Sequence, residues 1–158
     1  MTSNRATCRG AAEPCVRRVE FSVVDDEADI AHLVARALSA CGMAGCWFTE
    51  PAAFLAEAAR KAPNLVVLDL SLRGSDACAV MRQLAALRYR GSVLLMSGWL
   101  DAALRESERV GTACGLSMLE PLPKPFRLDD LYLRVARVAQ VCASCRSQTA
   151  GRAAQACR

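Results

Sequence analysis

The apolar positions of this chain follow two periods in alternation. Short unbroken runs have the length and composition of buried strands: VEFSVV over 19–24, AGCWFT over 44–49, NLVVLDL over 64–70, GSVLLMSG over 91–98 and LSMLEPL over 116–122. Each is followed by a segment with helical spacing, over 27–42, 50–62, 76–88, 100–115 and 127–141. In the first of these, Ile30, Leu33, Val34, Ala37 and Leu38 share a face and Gly42 supplies a stop. In the last, Leu128, Leu131, Val135 and Val138 follow at steps of three and four. Thr49 and Ser75 are candidate N-caps of the second and third helices, with Pro51 in a first turn, and Gly111 interrupts the fourth helix. Trp47 and Phe48 are expected in the core, and His32 as a packing or surface residue.

Strand followed by helix, five times over, predicts an α/β fold: a parallel sheet with helices on both faces. In a doubly wound sheet of this kind, ligands bind beyond the carboxyl ends of the strands. Those ends are polar here. Asp25 and Asp26 close the first run, Asp69 the third and Ser97 the fourth, and Lys124 follows the fifth. Parallel strands would bring all five side chains to one edge.

Charge separates this centre from its flanks. The formal net charge is +4, with +3 over residues 1–18, −2 over 19–141 and +3 over 142–158. The expected organisation is a basic N-terminal arm (1–18), one folded domain (19–141) and a tail (142–158). The tail continues the last helix's stripe through Cys142 and Cys145. A nucleic-acid binder needs a basic stripe on an ordered element, and none is evident. No apolar run reaches the roughly 20 residues that span a bilayer, and the N-terminus lacks the apolar core of a signal peptide. The expectation is a cytoplasmic protein with no membrane partner. Its nine cysteines then argue against a disulfide framework. Cys41, Cys46, Cys78 and Cys114 are expected as buried thiols. The CASC stretch at 142–145 lacks the four ligands of a structural zinc site.

Three carboxylates at one edge repel one another unless a cation lies between them. Mg²⁺ suits few carboxylates and several waters. A hydroxyl (Ser97) and an ammonium (Lys124) beside that cluster complete a phosphoryl pocket, where positioning and charge neutralisation do most of the work. An aspartate can itself be the nucleophile and form an acyl phosphate. Lys124 is one of only two lysines among 20 basic residues. A compact point charge on a flexible stem fits beside a metal where arginine's broad fork does not.

The stretches VVDDE, VVLDLSLRG, MSGW and LPKPF, in this order, resemble the receiver domain of two-component response regulators from about Val19 to Val141. The resemblance implies a flavodoxin-like fold: a five-stranded parallel sheet of order 2-1-3-4-5 with five helices. It implies Asp69 as phosphoacceptor, with Ser97 and Lys124 as its catalytic partners. Mg²⁺ would be held by Asp26, by Asp25 largely through water, by Asp69 and by the main-chain carbonyl of Ser71. A cis peptide is implied between Lys124 and Pro125. The implied donor is a histidine kinase or a histidine phosphotransfer protein.

The signal would leave by phosphorylation-controlled binding of a downstream protein, with no output domain and no enzymatic turnover beyond self-phosphorylation and self-dephosphorylation. The last helices are a candidate surface for a homodimer. Trp99, two residues past Ser97, is expected to slow loss of the phosphoryl group.

The chain departs from the family in two places. Pro121 stands three residues before Lys124, where the family often has an aromatic ring that reorients. Arg73 replaces a loop proline after the phosphoacceptor. GLSMLEPLPKPF is similar to receivers found in front of cyclic-di-GMP phosphodiesterase domains, which often lack that ring too. The alternative function is a receiver-fold binding module that works without phosphorylation. A Mg²⁺-dependent phosphohydrolase would need a second acid close to Asp69, as in Asp-x-Asp, and DLS lacks it.

Overall fold

The computed structural model describes residues 18–72, 76–98, 101–138 and 140. The elements run β1 (Glu20–Val24), α1 (Ala28–Ala40), β2 (Ala44–Phe48), α2 (Pro51–Arg60), β3 (Leu65–Asp69), α3 (Ala77–Ala86), β4 (Ser92–Ser97), α4 (Asp101–Ala113), β5 (Ser117–Met118) and β6 (Leu122–Pro123). A fifth helix, α5, covers residues 128–138. The sheet has the order β2-β1-β3-β4-β5, and β6 pairs with β4. Every pairing is parallel. This is the doubly wound α/β sheet expected from the alternating pattern. No helix among the described residues is long and apolar enough to cross a membrane.

Residue parity assigns the strands to two cores, because neighbouring side chains point to opposite faces. Phe21, Val23, Leu65, Val67, Leu94 and Met96 pack with α1 and α5. Val24, Val66, Leu68, Val93 and Leu95 pack with α2, α3 and α4. Both faces of β1, β3 and β4 are therefore covered, and these strands read as continuous apolar runs.

The expected fifth strand over 116–122 is broken in two. β5 pairs at Ser92↔Ser117 and Val93↔Met118, and β6 at Met96↔Leu122 and Ser97↔Pro123. Proline has no N–H to donate to a ladder, and Pro121 falls in the gap.

Several local expectations need correction. Leu33 is 47% exposed. The buried face of α1 is centred on Ala31, Val34, Ala35 and Leu38, which turns Leu33 to the rim. Trp47 is 40% exposed and lies against His32, with ring centroids 6.1 Å apart. β2 is the edge strand, so only Phe48 reaches inward, against Phe54 at 5.8 Å. None of the four central cysteines is buried: Cys41 and Cys46 are exposed, and Cys78 and Cys114 half-buried. Cys41 lies past the last turn of α1, and Cys46 lies on the edge strand.

The N-cap of α2 is Glu50 rather than Thr49. Asp76 caps α3 by accepting from Cys78 N at 2.9 Å. α4 runs unbroken through Gly111, because the bare Cα leaves room for Met118 and Met81. Ser75, Trp99, residues 1–17 of the N-terminal arm, the tail 142–158 and the cysteines Cys8, Cys15, Cys142, Cys145 and Cys157 lie outside the described residues.

Candidate phosphoryl site

Four strands deliver the site. β1 ends at Val24 and the next residue is Asp25, whose N–H donates to Phe48 O at 3.1 Å and continues the β1–β2 ladder. β3 ends on Asp69 itself, and Leu70 N donates to Met96 O at 2.9 Å. β4 ends on Ser97. The final ladder contact, Ser97↔Pro123, sets Lys124 one residue beyond β6, where its N–H donates to Ser97 O at 2.6 Å. The Lys124–Pro125 peptide is cis, as expected. All five candidate residues thus lie at the same edge of the sheet.

The charges there are tightly held. Asp25 (0% exposed), Asp69 (1%) and Ser97 (0%) are the buried polar groups of that edge. Oxygens of Asp25, Asp26 and Asp69 come within 4.8 Å of one another. Lys124 Nζ donates to Asp25 Oδ2 at 2.8 Å and lies 3.1 Å from Asp69 Oδ1. That second contact is at ion-pair distance but not aligned as a hydrogen bond, so Asp69 Oδ1 is a buried oxygen without a hydrogen-bond partner. The remaining carboxylate oxygens are served by backbone. Glu27 N donates to Asp25 Oδ1 at 2.9 Å and Ser71 N to Asp69 Oδ2 at 3.2 Å.

Burial pushes the carboxyl of Asp69 above its ordinary 3.8, and Asp25 adds to this; Lys124 and Ser71 N work against the rise without cancelling it. Burial alone would lower the Lys124 ammonium. Its hydrogen bond to Asp25 and the charge of Asp69 outweigh that and raise it above 10.5.

One ammonium therefore serves two buried carboxylates, with a third acid beside them and one oxygen unsatisfied. An oxygen-preferring divalent cation fits this donor set, since it would meet the orphaned Asp69 oxygen and offset the surplus negative charge.

The family described as "Response regulator receiver domain" matches residues 21–136. The chain belongs to this family. Among its relatives is the DNA-binding transcriptional regulator NtrC of Escherichia coli (strain K12), 29% identical over 117 residues, which are 73% of this chain and 24% of NtrC. The chain thus spans about a quarter of the length of the curated relatives it matches.

The receiver domain of NtrX from Brucella abortus is 31% identical, with TM-score 0.65, covering 76% of this chain and 98% of that one. A response regulator from Colwellia psychrerythraea, at 24% identity and TM-score 0.64, covers 79% and 97% and shares the fold.

Within this receiver, the sequence singled out all the residues that converge. Ser71 is described as the donor to Asp69, and Trp99 lies outside the described residues. Arg134 was missed. It lies beside the buried stripe of α5, between Leu131 and Val135, a place that gives no sign of its partner.

Proposed function

We propose that this receiver accepts a phosphoryl group on Asp69 from a histidine kinase or a histidine phosphotransfer protein and passes the signal on by altered protein binding. The observation that carries the reading is the buried Asp69 Oδ1. It is buried 3.1 Å from Lys124 Nζ with no further partner, which puts a cation beside the oxygen where a phosphoryl group would add negative charge.

In the reaction, an Asp69 oxygen attacks the donor's phosphorus, and the bond from phosphorus to the donor's nitrogen or oxygen breaks. The donor leaves with the bonding pair, and an acyl phosphate remains. Asp25, Asp26, Asp69 and the Ser71 carbonyl would hold Mg²⁺, which neutralises phosphoryl charge when bound. Lys124 supplies a second cation to the incoming oxygens. Ser97 supplies a hydroxyl at the end of β4. No turnover beyond one equivalent is needed, apart from slow self-hydrolysis.

The likeness of GLSMLEPLPKPF to receivers in front of cyclic-di-GMP phosphodiesterases supports a readout without an aromatic ring at Pro121. Leu133, 73% exposed on α5, supports that face as a surface for a downstream protein or a second copy.

Incubation with Mg²⁺ and acetyl phosphate tests the reading. A mass gain of one phosphoryl group, lost in D69N, is expected. Pro121 favours a second reading, a binding module independent of phosphorylation. A well-folded protein that never gains mass would support that reading instead.

A further inference from the structure

The segment that ends at Lys124 is held from two sides. On one side β6 pairs with the end of β4, and Leu122 is buried. On the other side Arg134 reaches across from α5. Its Nε donates to the carbonyl oxygen of Pro121 at 2.9 Å, and its Nη1 donates to Asp130 O of its own helix at 3.1 Å. Its Nη2 lies 3.6 Å from the Glu120 carboxylate.

This arginine differs from Arg60, Arg82, Arg109 and Arg127, which also lie in ion pairs. Its side chain is 18% exposed, whereas those of Arg60, Arg82, Arg109 and Arg127 are 60% or more. Exposed pairs of that kind contribute little. A half-sequestered guanidinium that bonds two backbone carbonyls on different elements is a directional joint.

Apolar packing also joins α5 and this segment, with Leu122, Leu131 and Val135 in one core and Leu119 and Tyr132 packed against it. Such packing is non-directional. Pro121 has no N–H, so its carbonyl is its only backbone hydrogen-bonding group. That group is spent on Arg134. Only Leu122 and Pro123 separate Pro121 from Lys124, and both are fixed in β6.

Resting on the reading of Asp69 as phosphoacceptor, we propose that Arg134 is the positioning residue through which a change at Lys124 reaches α5. A new anion on Asp69 alters the pull on Lys124. The two-residue strand transmits the shift to the Pro121 carbonyl. The guanidinium, anchored at its other arm on Asp130 O, either carries α5 with it or lets go. The two outcomes differ by one directional bond, as a switching element requires.

Hydrogen–deuterium exchange with and without Mg²⁺ and beryllofluoride tests this. In the wild type, amides of 128–138 are expected to change exchange rate by about tenfold, the scale of a hydrogen bond to a charged group. R134M keeps the aliphatic stem without the donors. It should still gain the phosphoryl mass from acetyl phosphate, but its 128–138 amides should no longer respond. R134K, with a single ammonium, should recover part of the response, and it carries the test alone if R134M does not fold.

A full response in R134M or R134K overturns the proposal. So does a folded R134M that cannot be phosphorylated, since Arg134 would then belong to the site itself. A wild-type α5 that ignores beryllofluoride also overturns it. Failure of the wild type to gain mass is a separate result, which removes the functional reading and this inference together.

Discussion

Lys124 decides the electrostatics of the edge, because Asp25 and Asp69 are both buried and both depend on it. Removing one partner of a buried pair leaves uncompensated charge, so K124M should destabilise the metal-free protein by about 3 kcal/mol in chemical unfolding. Mg²⁺ should recover part of that loss, while phosphoryl uptake stays low.

Asp69 adds a pH dependence. Its carboxyl is raised above 3.8 in the folded state, so the native protein binds more protons than the unfolded chain in that range. Stability is then full below 3.8 and falls as pH rises through the folded value. Unfolding midpoints in EDTA should show this fall, and D69N should flatten it. A parallel fall in D69N would assign the effect to other groups. At this scale the sequence was most legible, because an acid or hydroxyl placed last on an apolar strand has few other uses. Trp47 and the central cysteines were misplaced, because residue type alone does not tell an edge strand from a central one.

Among the elements, β2 passes close to β1 at Gly45. A Cβ on Gly45 would meet Phe21 O at 2.1 Å and Phe21 Cγ at 2.7 Å. The carbonyl belongs to the paired strand and cannot swing aside. G45A should therefore cost about 1–3 kcal/mol by overpacking, although the residue is exposed. G42A has open space around it but a φ of +80°, so its cost is backbone strain of about 1–2 kcal/mol. Thermal unfolding of the two variants checks both costs, and F21L should relieve only the side-chain part of the first, because the Phe21 carbonyl stays in place. Periodicity located every helix. It missed the division of the fifth strand, because the break falls at Glu120 and Pro121, inside a stretch whose apolar residues continue on both sides.

For the whole molecule, strand order places the candidate site at the carboxyl edge of β1, β3 and β4, where two cores meet. The site's charge is therefore part of the fold's stability. Mg²⁺ at about 100 times its dissociation constant should stabilise the protein by ~2.7 kcal/mol. D69N, with one carboxylate fewer, should show a smaller gain. Equal shifts in both proteins would place the ion elsewhere. The α/β order and the receiver family were legible because each strand carried its own signal. The tie between α5 and Pro121 was not, since a hydrogen bond from a helical arginine to a distant carbonyl leaves no trace in periodicity.

The divided fifth strand has one more consequence. Its two pieces pair with β4 at Ser92–Val93 and Met96–Ser97, and past the bond from Leu119 N to Val93 O, Glu120 and Pro121 lie outside either pairing. Substitutions there need not disturb Lys124, and the chemistry at the edge and the message sent from it can diverge independently over evolutionary time.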